Sequence, residues 1–408
     1  MLGGLGVGAG VTVTTLLAFE LSGSAALAGI AASASAFGAG VFAAAIGALS
    51  RFGRRPGLVG GYVVGLLGAG TAVTSAVLGS FPLMVAATFL FGASNASNLQ
   101  ARYAATDLAS ADRKGSDLSV VVWATTVGAV LGPNLTGPGV AAAELLGVPD
   151  LAGPYLLSAM GFAAAALVLL VGLRPDPLLL ARQLLDAQPG TQDVPGAPVR
   201  RRGAMATGLA AVAADPSARA AVVTIASAHA VMVGVMVMTP VHMGHHGADV
   251  RIIGLTISLH ILGMYAFSPV FGRLTDRFGA RPVLGLGLTQ LLVAVLLSAL
   301  STPQGGPGFI GGLLLLGTGW SAALIASSAL LTTSLPLDAR APAQGLSDFA
   351  MNVAGGSAGA LSGLIMTLLG FPLMAVTTIL LLLVPTGMVL ADAGRQRRTA
   401  TAGVAPAP

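Results

Sequence analysis

The hydrophobic positions of the chain fall into long, nearly unbroken runs rather than short alternating ones. A helix that crosses a bilayer needs about 20 mostly apolar residues. Reading apolar runs between charged or Pro/Gly breaks gives twelve such segments. They lie near residues 1–20, 26–49, 58–79, 83–108, 117–141 and 154–173, then 217–241, 251–272, 283–301, 308–334, 345–369 and 371–391. The expected fold is an all-α integral membrane protein with twelve transmembrane helices. A polar stretch, residues 174–215, separates spans six and seven and holds "QPGTQDVPGAP" and the triplet Arg200, Arg201 and Arg202. It reads as a linker between bundles at 1–173 and 216–392, with a short surface helix around residues 178–187. Residues 393–408 read as a disordered tail.

Composition turns this pattern into an exclusion. The 408 residues carry 20 basic and 15 acidic side chains, 9% charged, against roughly 25% in soluble domains. With 55% hydrophobic residues and a mean hydropathy of +0.87, there is too little polar surface for a soluble fold of this length. A soluble enzyme, a nucleic-acid binder and a disordered scaffold are excluded, and the bilayer is the remaining solvent. The chain has no Cys, hence no disulfide and no thiolate metal site. The 57 glycines point to helices packed closely through small residues. Arg in place of Lys, with abundant Ala and Gly, fits a GC-rich bacterial genome and so a bacterial inner membrane.

Basic residues set the orientation. With the N-terminus in the cytoplasm, only Arg102 and Arg251 fall elsewhere, leaving 18 of the 20 Lys and Arg on the cytoplasmic side. Both termini are therefore expected inside. The halves also repeat. A shift of 226 overlays "SRFGRRP" (50–56) on "DRFGARP" (276–282), and a shift of 231 overlays Ser116 and Asp117 on Ser347 and Asp348. Duplicated six-helix bundles of this kind mark secondary transporters, with the substrate site between the halves. A shift of 225, which overlays Gly29 on Gly254 and Gly38 on Gly263, sets Met1 opposite Ala226, already inside span seven, so the natural start is expected upstream of Met1.

The loop "GRLTDRFGAR" (272–281) resembles the signature loop of the major facilitator superfamily, G-x-L-x-D-R-x-G-R-R, with Ala280 in place of one Arg. The first copy, "IGALSRFGRR", keeps Arg51, Gly53, Arg54 and Arg55 but has Ser50 where the family has Asp. The resemblance implies two pseudo-symmetric six-helix bundles that rock about a central site, with loop contacts that latch one state. Asp276 is expected to meet the positive N-terminus of span five. Arg51 is expected to pair with Asp107 and Arg277 with Asp338. Arg55 and Arg281 complete the gating set. In span five, "GAVLGPNLTGPG" resembles the motif of drug:proton antiporters, carried by Gly128, Gly132 and Pro133. The same segment also serves as a plain packing seam: its glycines lie four apart on one face, and Pro133 kinks the helix.

Span four carries Ser94, Asn98, Arg102 and Thr106 at intervals of four, with Asn95 adjoining, a polar stripe on an apolar helix. Arg at membrane depth costs at least ~2.5 kcal/mol on insertion scales, so Arg102 should face a cavity or an acidic partner, unless it snorkels to the surface. Gln344, Asp348 and Asn352 repeat the spacing in span eleven. The candidate substrate cavity is Asn95, Asn98, Arg102, Trp123, Asn134 and Asn352. Trp123 and Trp320, the only tryptophans, also fit simple packing.

All five histidines, at 229, 242, 245, 246 and 260, fall within 32 residues that run from span seven into span eight. His titrates near neutral pH and serves as a proton relay inside membranes. Glu20, set opposite His245 by the repeat, is expected to carry the coupling proton with His229 or His260, and Asp348 is the next candidate. "HMGHH" is poorly spaced for a metal. There is no P-loop, no HExxH and no paired catalytic carboxylates, so no enzyme activity, ATP, cofactor or metal is expected. The glycines of "MLGGLGVGAG" lack the strand that a dinucleotide fingerprint needs. The expected function is proton-coupled efflux of a small organic compound by a monomer working in the lipid bilayer. Uptake or facilitated diffusion of a polar metabolite is the alternative within transport, and a non-transporting membrane sensor is the alternative outside it.

Overall fold

The computed structural model describes residues 1–110, 112–187, 203–302 and 306–402, so the Arg200–Arg202 triplet of the linker lies outside the described residues. Five of the six first-half crossings are single helices: α1 (Leu2–Ser22), α2 (Ala25–Leu49), α3 (Arg54–Leu78), α4 (Phe81–Ala104) and α7 (Gly153–Gly172). Glycines end several of them. Gly23 and Gly79 take left-handed φ values of 65° and 63° and return a backbone amide to the helix they close. Gly53 and Gly279, at φ 105° and 86°, make the same turn in the two repeated loops.

Three crossings are broken where the sequence pattern predicts continuity. Span five is α5 (Lys114–Leu131), a 3-10 turn at Pro133–Leu135, then α6 (Thr136–Leu146). Pro133 has no amide to donate, so the helix cannot run through it unbroken. Span eight divides into α11 (Val250–Tyr265) and α12 (Ser268–Phe278), with Pro269 in the first turn of α12. Span twelve begins within α15 (Leu337–Thr377), where Gly370 at φ 75°, ψ 165° divides it from span eleven at the expected boundary, and it breaks after Thr377. With α10 (Pro216–His245), α13 (Ala280–Leu300), α14 (Pro307–Ser334) and α16 (Leu380–Ala402), the chain makes twelve crossings. The helix of α16 takes in the first part of the segment expected as a tail.

Each half has its own apolar core. In the first, Phe91 meets Tyr155 edge-on at 5.8 Å and Phe162 at 5.1 Å. In the second, Leu288, Leu291, Leu316 and Trp320 are buried together, and Leu118 and Val122 of α5 join that cluster from the other half. The halves meet mainly along α2 with α15 and α5 with α12, and α5 also touches α11 and α14 and α4 touches α15. The linker adds α8 (Pro177–Asp186) and a helix the pattern did not predict, α9 (Ala204–Ala214). α9 touches both α2 and α15, and its Gly208 lies against the backbone of Pro342.

Candidate functional site

The seam between the halves is closed at the end that carries the two repeated loops, called here the Arg-rich end. Gly47 and Gly40 of α2 lie against Gly345 and Asn352 of α15, and the contact reaches Ala36 and Gly356. Beyond that point Gly29, nearer the other end of α2, has nothing within 4 Å of where a side chain would begin.

Polar contacts centred on three residues, Arg102, Arg54 and Asp276, cross the closed part among the described residues. The deepest joins Arg102 of α4 to Asp348 of α15, Nη2 to Oδ1 at 2.6 Å, with both side chains 1% exposed. Arg102 also donates to Ser328 Oγ at 3.2 Å, to the Leu99 carbonyl at 2.5 Å and to the Tyr103 hydroxyl at 2.9 Å. Each nitrogen of this guanidinium is therefore engaged, which is how a charge is tolerated at that depth. Asp348 is less well served. Its Oδ2 is buried and has no hydrogen-bond partner among the described residues.

Nearer the Arg-rich end, Arg54 of α3 holds Asp107 bidentately, Nε to Oδ2 at 2.7 Å and Nη2 to Oδ1 at 2.9 Å. The same Nη2 crosses to Gln344 Oε1 of α15 at 2.7 Å. The third contact runs the other way. Asp276, at the end of α12, accepts from the amides of Gly115 and Ser116 at 2.7 Å each. These are orphan donors at the start of α5, where a carboxylate also meets the positive end of the helix dipole.

A twelve-crossing bundle in two halves, joined by a buried ion pair and paired loops, has the architecture of an alternating-access carrier. Comparison with known proteins supports it. A sequence profile of the Major Facilitator Superfamily matches residues 220–404. The chain is 38% identical over 387 residues to the uncharacterized MFS-type transporter YddS of Bacillus subtilis, covering 94% of this chain and 87% of that protein. The chain belongs to the major facilitator superfamily. This superfamily transporter is also 29% identical over 304 residues to the riboflavin transporter RfnT of Brucella anthropi, covering 74% of this chain and 70% of that protein. Its fold is similar to that of the human organic anion transporter MFSD10, with a TM-score of 0.71 at 17% identity over 95% of this chain and 98% of that one.

Two of the expected loop pairings take a different form in this superfamily member. Asp107 pairs with Arg54 and not with Arg51, which is exposed in the 3-10 turn before Gly53 and lies over the Phe52 ring at 4.5 Å. Arg54, one residue past the glycine, is the first residue of α3 and points into the seam. Arg277 likewise sits over Phe278 at 5.3 Å and makes no ion pair with Asp338 among the described residues. Arg281 reaches Ser217 Oγ at 2.9 Å, and Arg55 contributes its amide, at 2.8 Å, to Asp176.

The cavity candidates divide. In the α4 stripe, Ser94 and Thr106 bond back to their own helix. Asn98 accepts from the Tyr62 hydroxyl at 3.5 Å, and Asn95 is half-buried. Asn352 donates to the Asp348 carbonyl one turn below it. Trp123 and Asn134 are exposed, on α5 and beyond its break, whereas Arg102 is fully buried. Gly128 and Gly132 pack against Gly4 and Gly8 of α1, so the glycines of the N-terminal run, also four apart, are the other side of that seam.

The structure does not gather the coupling candidates. Glu20 is exposed on α1 at the end opposite the Arg-rich one. His229 accepts from Trp320 Nε1 at 2.9 Å, whereas His260 bonds the Leu313 carbonyl through Nδ1 at 2.8 Å. His242 stacks on Phe371 at 4.2 Å. Tyr103, Ser328, Arg54, Gln344 and Asp176 were absent from the expected site. Arg54 lay in the repeated loop, Gln344 in the polar spacing of span eleven, and Asp176 in an Asp-Pro pair at a helix start, whereas Tyr103 and Ser328 had no such signal.

Proposed function

We propose that this transporter is a proton-coupled exporter of small organic compounds, of the drug:proton antiporter kind, with the Arg102–Asp348 pair as its coupling site. The observation that carries the reading is a fully buried ion pair between the halves whose carboxylate is only half satisfied. Removing the charge on Asp348 by protonation takes away the attraction to Arg102, and the closed part of the seam loses its deepest tie. A proton thus biases which end of the carrier is open. By the positive-inside rule the Arg-rich end is cytoplasmic, as are both termini, and the arrangement described is the outward-facing state. Residues 1–173 and 216–392 are the two rocking units, and the monomer is the working form.

The test is transport in inverted vesicles with an imposed proton gradient, using ethidium as the probe. Wild-type accumulation is expected to collapse with an uncoupler. Asp348→Asn is expected to keep ethidium exchange across the membrane but lose its dependence on the gradient. Gradient-driven accumulation by Asp348→Asn would overturn the assignment. A second reading, uptake of a polar planar metabolite, is supported by Asn95 and Asn98 on α4 and by the similarity to RfnT. Riboflavin in place of ethidium separates the two, since an importer moves it out of the inverted vesicles.

A further inference from the structure

The start of α3 carries charge that its own helix opposes. α3 opens with Arg54 and Arg55 and has no acidic residue in its first turn, although a helix N-terminus favours anions. The missing carboxylate comes from the linker. Asp176 Oδ1 accepts from the Arg54 amide at 3.0 Å, and Oδ2 accepts from the Arg55 amide at 2.8 Å. The same Oδ1 accepts from Leu178 and Leu179 at 3.1 and 3.3 Å, capping α8. One carboxylate therefore takes four backbone amides from two helices. Gly53 is required twice over, by its φ of 105° and because a side chain there would run into the Asp176 carboxylate. A second tie, Arg182 Nη1 to the Arg51 carbonyl at 3.2 Å, holds α8 along the same loop.

We propose that Asp176, a residue of the linker, is the positioning residue of the Arg54 contact and acts through the two α3 amides that its carboxylate holds. Arg54 is held at both ends: its amide by Asp176, its guanidinium by Asp107 and Gln344 across the seam. A long side chain reaches a partner in the opposite half reproducibly only if its own backbone is held, and a charged cap is the strongest hold for a first turn. The second half needs no such cap, since Ala280 stands where Arg54 does in the repeat. The inference rests on the reading that closure of the Arg-rich end is one of the two transport states.

The absence of Cys allows a direct test. Spin labels at Ser110→Cys and Phe278→Cys, exposed positions at the Arg-rich end in opposite halves, report the distance across the seam. Asp176→Asn is expected to lower the ratio of closed to open molecules about tenfold, within the range of a lost charge-assisted cap. Asp176→Ser, which keeps a neutral cap for α8, is expected to do nearly the same, and it serves if Asp176→Asn does not fold. Ala181→Pro, which breaks α8 but leaves Asp176, is expected to keep the closed state. Arg54→Gln should open the seam alone, and Asp176→Asn on top of it should add nothing. An unchanged distance in both Asp176 variants, or effects that add to those of Arg54→Gln, would overturn the proposal. If Arg54→Gln itself fails to open the seam, the latch reading fails instead.

Discussion

The buried pair at the seam predicts an asymmetry that a simple count of interactions does not. Breaking a buried ion pair by removing one partner costs ~3–5 kcal/mol, because the other charge stays behind. The charges left behind are unlike. Arg102→Met leaves a carboxylate, which can take up a proton and become neutral. Asp348→Asn leaves a guanidinium, which stays charged at any accessible pH. The penalty of Arg102→Met should therefore fall as pH is lowered, by up to ~1.4 kcal/mol per pH unit. The sign follows from linkage: the folded variant then binds a proton that the unfolded chain lacks, so stability drops as pH rises. Asp348→Asn should show no such slope, and Arg102→Met with Asp348→Leu should recover much of the loss by removing both charges. Reversible chemical unfolding in mixed micelles at pH 5, 6 and 7 reads all three variants. Equal slopes for the two single variants would refute the argument, as would a double variant no more stable than either single one.

Asp276→Asn removes a charge at the edge of the bundle where water can replace it, so stability should fall by ~1 kcal/mol or less while transport drops strongly; normal transport would refute the latch role. Gly128→Val forces a side chain into the backbone of Gly4 and should cost ~1–3 kcal/mol by overpacking, read as a lower melting temperature with α1 displaced. His229→Gln should leave the pH profile of transport in place, since His229 is tied to Trp320 within one half; a shifted profile would return the coupling role to the histidines.

The features legible in the sequence are those that depend on local pattern. Twelve apolar runs, the duplicated loop and the odd Arg in span four could each be read from a window of residues. The individual worth of Arg102 and Asp348 was visible because each is costly at membrane depth. Their pairing was not, since 246 positions and the seam itself separate them. The choice between Arg51 and Arg54 turned on one glycine: Gly53 reverses the chain, and only the residue after it starts α3 facing the partner half. The histidines show the opposite failure. Five in 32 residues suggested a site, yet His229, His242 and His260 each found a separate partner. Closeness along a helix pair does not set direction around it.

The two loop copies divide the signature between them, and the helix ends they meet explain why. The second copy keeps Asp276 and has lost the Arg at 280, and the first keeps Arg54 and has Ser50 in place of the Asp. Asp276 finds free amides because α5 begins at Lys114, just beside it. The repeat maps Lys114 onto Gly345, but α15 begins eight residues earlier, at Leu337. The amides that a carboxylate at position 50 would need are therefore inside the helix and already bonded. Ser50 instead turns back to the Gly47 carbonyl at 2.6 Å and is 4% exposed. Restoring the family residue should therefore do harm. Ser50→Asp places a carboxylate at a buried position that lacks such amides, a cost of ~1–3 kcal/mol, and is expected to lower both the melting temperature and the closed fraction relative to Ser50→Ala. The spin-label distance across the seam and a thermal melt in micelles measure both. A Ser50→Asp protein that is more stable and more closed than Ser50→Ala would mean that free amides face position 50 after all, and the division of labour between the loops would have to be abandoned.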